Sequence, residues 1–305
     1  MTISSHIEHF YGLPIEQYDE EKGIQNSDAA LRVSVDFDSE VTLLALLEKM
    51  RYDPRAAQIK AIVIGEWEEA YEADSQEYLD FLIKHAASFP SLKAIFIGEM
   101  TYEENEISWI VQGNYELLWG AYPELEELTI RGGLELKLGD TISHANLKKL
   151  VIQTGGLEAA ILDQLAKASF PALEHLEVWL GSDDYGWDGN ISDVLPLLSA
   201  AHFPKLTYLG IKNSLIQDDI LKAALRSDIL AQLHTLDMSM GVLADDSAAE
   251  IITYQDKLQG KTLDVSQNYL SDEMVATLQQ TGLTIDVSEQ DSGDDPDDRY
   301  VSVSE

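Results

Sequence analysis

The strongest constraint on this chain is a short stretch that recurs along it. Phe170-Pro171-Ala172-Leu173-Glu174-His175-Leu176-Glu177-Val178-Trp179 is one copy. Phe89-Pro90-Ser91-Leu92-Lys93-Ala94-Ile95-Phe96-Ile97, Tyr122-Pro123-Glu124-Leu125-Glu126-Glu127-Leu128-Thr129-Ile130 and Phe203-Pro204-Lys205-Leu206-Thr207-Tyr208-Leu209-Gly210-Ile211 repeat its form. All share an apolar triplet at positions i, i+3 and i+5. The last two members sit two apart, so on a strand their side chains share one face.

The triplet reads Ala30/Val33/Val35, Ile59/Ile62/Ile64, Leu92/Ile95/Ile97, Leu125/Leu128/Ile130 and Leu147/Leu150/Ile152. It continues as Leu173/Leu176/Val178, Leu206/Leu209/Ile211 and Leu233/Leu236/Met238. Leu263/Val265 follows with Gly260 in the first slot, and Leu283 to Val287 makes a degenerate tenth strand. Helical patterns separate them, near 41–47, 78–83, 106–120, 157–168, 191–201, 216–227, 245–257 and 272–281. Asp74, Ser75 and Ser271 stand at N-cap positions. Strand then helix, repeated, predicts an α/β leucine-rich-repeat solenoid of the ribonuclease-inhibitor-like horseshoe type, with a parallel concave sheet and outer helices.

The expected divisions are an N-terminal cap at 1–28, a leucine-rich-repeat domain of nine to ten repeats at 29–287, and an acidic linker with a C-terminal tail at 288–305. Ser288 to Arg299 is acidic, carries Gly293 and Pro296, and reads as disordered linker. Arg299 to Glu305 alternates like a strand and is a candidate closing edge. Three long intervals carry insertions between strand and helix, at 65–74, 99–106 and 181–190, all expected on one rim.

Composition limits the function. The chain of 305 residues has 55 acidic against 20 basic residues, a formal net charge of -35. That field opposes nucleic acid and anionic membrane and favours basic partners. With no cysteine, disulfides, thiolate metal sites and a cysteine nucleophile are excluded. Met1 to His6 lacks the basic and apolar regions of a signal peptide, and no apolar run reaches membrane-spanning length, so a cytoplasmic location is expected.

Beyond the repeats, the chain resembles an uncharacterised family of bacterial cytoplasmic leucine-rich-repeat proteins known by a locus-tag name. The likeness lies in Phe10-Tyr11-Gly12-Leu13-Pro14, Ile107-Ser108-Trp109, Arg131-Gly132-Gly133, Leu176 to Gly181 with Asp184-Tyr185-Gly186, and Arg299 to Glu305. It spans nearly the whole chain and implies a bacterial cytoplasmic protein, with no catalytic residue to transfer. The asparagine typical of many such repeats follows the triplet only at Asn268; Gly133, Gly155, Gly181 and Gly241 hold that slot elsewhere.

No enzyme signature emerges. Gly260-Lys261-Thr262 precedes a strand, whereas a phosphate loop follows one. The loop from Asp184 has Leu195 where a calcium loop needs glutamate. His6 and His9 lack a ligand motif, and His175, His202 and His234 lie on different repeats. No cofactor and no metal are expected. Glu66, Glu68 and Glu69 with Glu99, Glu103, Glu104 and Glu106, or Asp183 and Asp184, are read first as solvated loop acids and second as cation ligands.

Binding is better supported. Residues beside the triplet members face the concave side, and Arg131, Lys149, Gln153, His175, Glu177, Trp179, Tyr208 and Lys212 form the candidate partner-binding patch. Trp, Tyr and Arg are common hot-spot anchors. Trp179, Tyr208, Arg131 and Lys212 are its expected centre, exposed to water, with Tyr185 and Trp187 as a lip; the alternative is that the loop at 181–190 folds back and covers Trp179. With the patch exposed, alanine at Trp179 and Arg131 together would barely change the melting temperature. The expected function is a non-catalytic protein- or peptide-binding scaffold; the alternative is an accessory or substrate-holding subunit of a bacterial biosynthetic enzyme system.

Overall fold

The computed structural model describes residues 2–293 and 298–305. It is an α/β protein with one twelve-stranded sheet whose strands follow the order of the chain. The strands are β1 His9–Phe10, β2 Leu13–Gln17, β3 Ala30–Val33, β4 Ala61–Ile64, β5 Ala94–Ile97 and β6 Glu127–Arg131. Next come β7 Lys149–Gln153, β8 His175–Gly181, β9 Tyr208–Ser214, β10 Thr235–Asp237, β11 Thr262–Asp264 and β12 Thr284–Asp286. Two compact units divide the chain: an N-terminal one of Thr2–Ile152 with Lys167–Phe170, and a C-terminal one of Gln153–Ala166 with Pro171–Ser304. Among the described residues no helix is long and apolar enough to cross a membrane.

In the N-terminal unit β1 and β2 form an antiparallel hairpin. Tyr11 and Gly12 between them take φ of 53° and 70°, the two positive values a two-residue hairpin turn requires. From β2 to β6 the pairing is parallel. Leu31, Ile62, Ile95 and Leu128 lie in one row, and Val33, Ile64, Ile97 and Ile130 in another. The first repeat therefore sits two residues earlier than the triplet Ala30/Val33/Val35 implied, with Leu31 and Val33 in the last two slots. A shift of two leaves every side chain on the same face, so the alternation cannot distinguish the registers.

Of residues 1–28, the expected cap, β2 joins the sheet as a parallel strand beside β3. The segment before it lies on a sheet face, where Phe10 packs among Ala30, Ala61, Val63, Ala94 and Phe96. Sequence 106–120 is not one helix. It holds a short 3-10 turn at Ile107–Trp109 and a single α-turn at Leu118–Ala121. Between them the amides of Gln112 and Tyr115 donate to Leu134 and Lys137 carbonyls, and those bonds replace the i−4 bonds of a helix.

The C-terminal unit keeps parallel register from β8 to β12. Leu176, Leu209, Leu236, Leu263 and Ile285 align in one row. The long helices here are Ala159–Lys167, Gln217–Arg226, Asp245–Thr253 and Asp272–Gln279. Ser271 accepts the Met274 amide at 3.1 Å, as its cap position implied.

The acidic stretch after β12 is bonded rather than a free linker over its described part. Gln290 Nε2 donates to the Val265 carbonyl and the Asp291 amide to the Asn268 carbonyl. Residues 294–297 of the expected linker lie outside the described residues. The tail forms no edge strand. Val301 and Val303 are buried, the Ser302 amide donates to Met240, and the Val303 amide donates to Asn213 Oδ1 at 2.9 Å.

Candidate functional site

Each unit holds one dense cluster of charged and aromatic side chains on its sheet. In the C-terminal unit, β8 and β9 supply His175, Glu177, Trp179, Tyr208 and Lys212, and β10 adds Asp237. The parallel register pairs His175 with Tyr208 and Trp179 with Lys212. Alternation therefore puts all of them on the face opposite the Leu176/Leu209 row.

The contacts are specific. The His175 and Tyr208 rings stack at 3.8 Å with planes 5° apart. Trp179 Nε1 donates to Glu177 Oε1 at 2.7 Å. Tyr208 donates its hydroxyl proton to Asp237 Oδ2 at 2.6 Å. Lys212 Nζ lies 3.1 Å from Asp237 Oδ2 and 3.8 Å from Glu177 Oε1, and 5.7 Å from the centre of the Trp179 ring. His175 Nε2 stands 3.5 Å from Glu177 Oε2, at the limit of a hydrogen bond. Gly210 occupies the row between Glu177 and Asp237. A Cβ there would press on Tyr208, Glu177 and Lys212 at 3.2 to 3.4 Å.

These contacts set the charges. Burial alone would raise the Glu177 carboxyl. The His175 contact, the Lys212 ammonium and the Trp179 hydrogen bond outweigh burial and hold it at about 2. Burial would lower Lys212, yet the carboxylates of Glu177 and Asp237 raise it. Burial and the same two carboxylates push the Tyr208 hydroxyl up. At neutral pH the tyrosine is thus a donor and the lysine a cation. Beyond Asp237 the face opens: Thr262, Thr284 and Asp286 are exposed, aligned with Thr235 and Asp237.

In the N-terminal unit, Arg32, Glu99, Glu104, His6 and Arg131 form a second network. Glu99 is 0% exposed. Arg32 Nε donates to its Oε2 at 2.8 Å, and Arg131 Nη1 lies 4.0 Å from its Oε1. Arg131 also donates to the Met100 carbonyl at 2.5 Å and stacks over Phe96. Burial pulls Arg131 down to about 10, so it stays protonated at neutral pH. Gly65 makes room for Arg32, since a Cβ there would fall 2.8 Å from the guanidinium carbon.

The expected patch thus resolves into parts. His175, Glu177, Trp179, Tyr208 and Lys212 are brought together in one unit. Arg131 belongs to the other unit and to a different network. Lys149 pairs with Glu127 at 3.0 Å, and Gln153 is half-buried at the end of β7. The expectation of water around Trp179 and Arg131 is overturned: they are 8% and 3% exposed. Trp187 is buried, so it forms no lip, while Tyr185 is half-buried.

The loop acids divide: Glu69, Glu103, Asp183 and Asp184 are exposed, as solvated loop acids are, and others are bonded inward. Glu68 accepts the Leu43 amide and the Tyr78 hydroxyl, and Glu104 pairs with Arg32. Among the described residues no group of His, Asp and Glu is placed to hold a metal. Sequence reading missed His6, whose Nδ1 lies 3.1 Å from Glu99 Oε2, because the partners are far apart in the chain. Glu66 is the exceptional acid. Burial first, then Glu104 and Asp36, raise it to about 7. A raised carboxyl opposes folding as it ionises, so its penalty is absent below about pH 4.5 and full above pH 7. Allowing for partial exposure, Glu66→Gln should add about 1 kcal/mol at pH 8 and nothing near pH 4. Denaturant melts at the two pH values check this.

No family model matches the chain, and no curated protein matches it. A solved protein from Bacteroides fragilis, determined by crystallography as a structural-genomics target, is 33% identical. The match covers 89% of this chain and 76% of that one, with a TM-score of 0.82. The chain belongs to that protein's family. Over the matched length that protein shares the fold of this chain.

Proposed function

We propose that the chain is a leucine-rich-repeat solenoid of the ribonuclease-inhibitor-like type and a non-catalytic scaffold. It binds a protein or peptide on the sheet face of the C-terminal unit. Rows of aligned leucines with helices between parallel strands support the repeat reading. The observation that carries the binding reading is the His175–Tyr208 stack beside the Lys212, Asp237 and Glu177 charges. The stack is a rigid, partly exposed aromatic platform with polar groups already oriented. Rigid aromatic anchors beside fixed charges are the usual centre of a binding surface. The net charge of -35 steers basic partners toward it.

The test is selection of a displayed random peptide library against the full chain. Enriched peptides should lose at least about tenfold in affinity to Tyr208→Ala, the scale of one hot-spot anchor, and none to Asp246→Ala, a change on the helix Asp245–Thr253. Enrichment indifferent to Tyr208→Ala, in a variant that still melts cooperatively, overturns the reading.

A further inference from the structure

In the N-terminal unit the second sheet face carries an apolar patch beside the Arg32, Glu99 and Arg131 network. Ala30, Ala61, Val63, Ala94 and Phe96 form one cluster there. They alternate along their strands with the aligned Leu31, Ile62 and Ile95 row, so β4 and β5 are apolar on both sides, while β3 adds Arg32 to the second face. The cluster is closed by Phe10, whose ring lies 5.7 Å from that of Phe96.

The residues that deliver Phe10 are held at several points: His6 contacts Glu99 and Glu104, and the Glu8 carbonyl accepts the Ile15 amide at 2.9 Å. Residues 3–8 form no helix or strand, and Ser4, Ser5, His6, Glu8 and His9 are exposed. The Ile7 amide donates to Glu99 Oε1 at 3.2 Å, and the Ile3 carbonyl accepts the Tyr102 amide at 2.9 Å. Past Phe10, the Tyr11 hydroxyl donates to Glu126 at 3.0 Å.

The receiving side, by contrast, is fixed from within. Glu99 is fully buried and gripped by Arg32, with Arg131 4.0 Å from its other oxygen and itself anchored on Met100. The carboxylate oxygen that takes the Ile7 amide therefore keeps its place without the segment. A preformed acceptor, an apolar floor and an extended occupant are the elements of a peptide in its groove.

We propose that this face is a second peptide-binding surface and that residues 3–11 are its built-in, displaceable occupant. An extended peptide competes for it by presenting one main-chain amide to Glu99 and an aromatic ring three residues further on, the spacing of Ile7 and Phe10. Tethering keeps the occupant at an effective concentration in the millimolar range, so the face stays closed to weak competitors. Any change that loosens the tethered copy opens it.

The experiment uses a fluorescein-labelled synthetic peptide of residues 2–13 and the full chain. Wild type should bind it weakly. Ile7→Pro in the chain removes the amide that Glu99 receives, and Phe10→Ala removes the ring. Each variant should bind the wild-type peptide at least about tenfold more tightly than wild type does, by freeing the site from its tethered occupant. A peptide carrying Phe10→Ala should lose that gain. Equal affinity for wild type and both variants, or no binding to any, overturns the proposal. So does binding that survives loss of the peptide's ring. Loss of the cooperative melt in both variants would make the segment part of the folding core and overturn it as well.

Discussion

Replacing Arg131 and Trp179 together by alanine is expected to bring the chain close to unfolding. Arg131 is 3% exposed and Trp179 is 8% exposed. Without Arg131, the fully buried Glu99 loses one of its two guanidinium partners, keeping Arg32, His6 and the Ile7 amide, and the Met100 carbonyl loses its donor. Breaking a buried ionic pair from one side costs about 3–5 kcal/mol, because the remaining charge stays out of water. Removing the Trp179 indole leaves a cavity and takes a donor from Glu177. Deletion of a large buried aromatic costs about 3–5 kcal/mol. The contacts described for the two side chains do not overlap, so the losses should nearly add, to about 6–10 kcal/mol. A whole domain is stable by only about 5–15 kcal/mol. Urea melts of both single variants and the double variant measure this. A combined loss below about 2 kcal/mol would mean that both side chains stand in solvent, as the sequence alone suggested.

Leu176→Ala should cost about 2–5 kcal/mol, the range for a buried leucine whose site cannot collapse. Leu176 is 0% exposed and sits on β8, level with Leu209 on β9. Hydrogen-bonded strands on either side hold the backbone in place, so the neighbours cannot close the void. The same strand carries His175, Glu177 and Trp179 on its other face. Loss of Leu176 should therefore also disturb the His175–Tyr208 stack. Denaturant midpoints report the first effect, and near-ultraviolet circular dichroism reports the second. A loss under about 1 kcal/mol would place Leu176 outside the core.

Much of the fold was legible because strand patterning is local. Leu176/Val178, Leu209/Ile211 and Leu236/Met238 each mark a strand face within a few residues, and the aligned rows follow from repetition. The Thr-x-Asp alternation recurs at 235–237, 262–264 and 284–286, but Asp237 is buried, while Thr262, Thr284 and Asp286 are exposed. One local signal went unread. Ala-Ile-Val-Ile at 61–64 and Ala-Ile-Phe-Ile at 94–97 are apolar on both faces, the mark of strands covered on both sides. They point to a cover on that part of the sheet but not to its source.

What tertiary structure alone decided is which distant groups meet. Phe10 reaches Phe96, His6 reaches Glu99, and Asn213 reaches Val303. No periodicity encodes such pairs, because each depends on where an irregular segment is laid across an already folded sheet. Trp179 and Arg131 illustrate the limit. Alternation correctly put them off the leucine-bearing face of their strands. Whether that side was wet depended on Glu177 and Lys212 for one, and on Glu99, Phe96 and Met100 for the other. Strand sequence determines the side on which a residue projects; burial on that side is set by side chains that only the folded chain brings there.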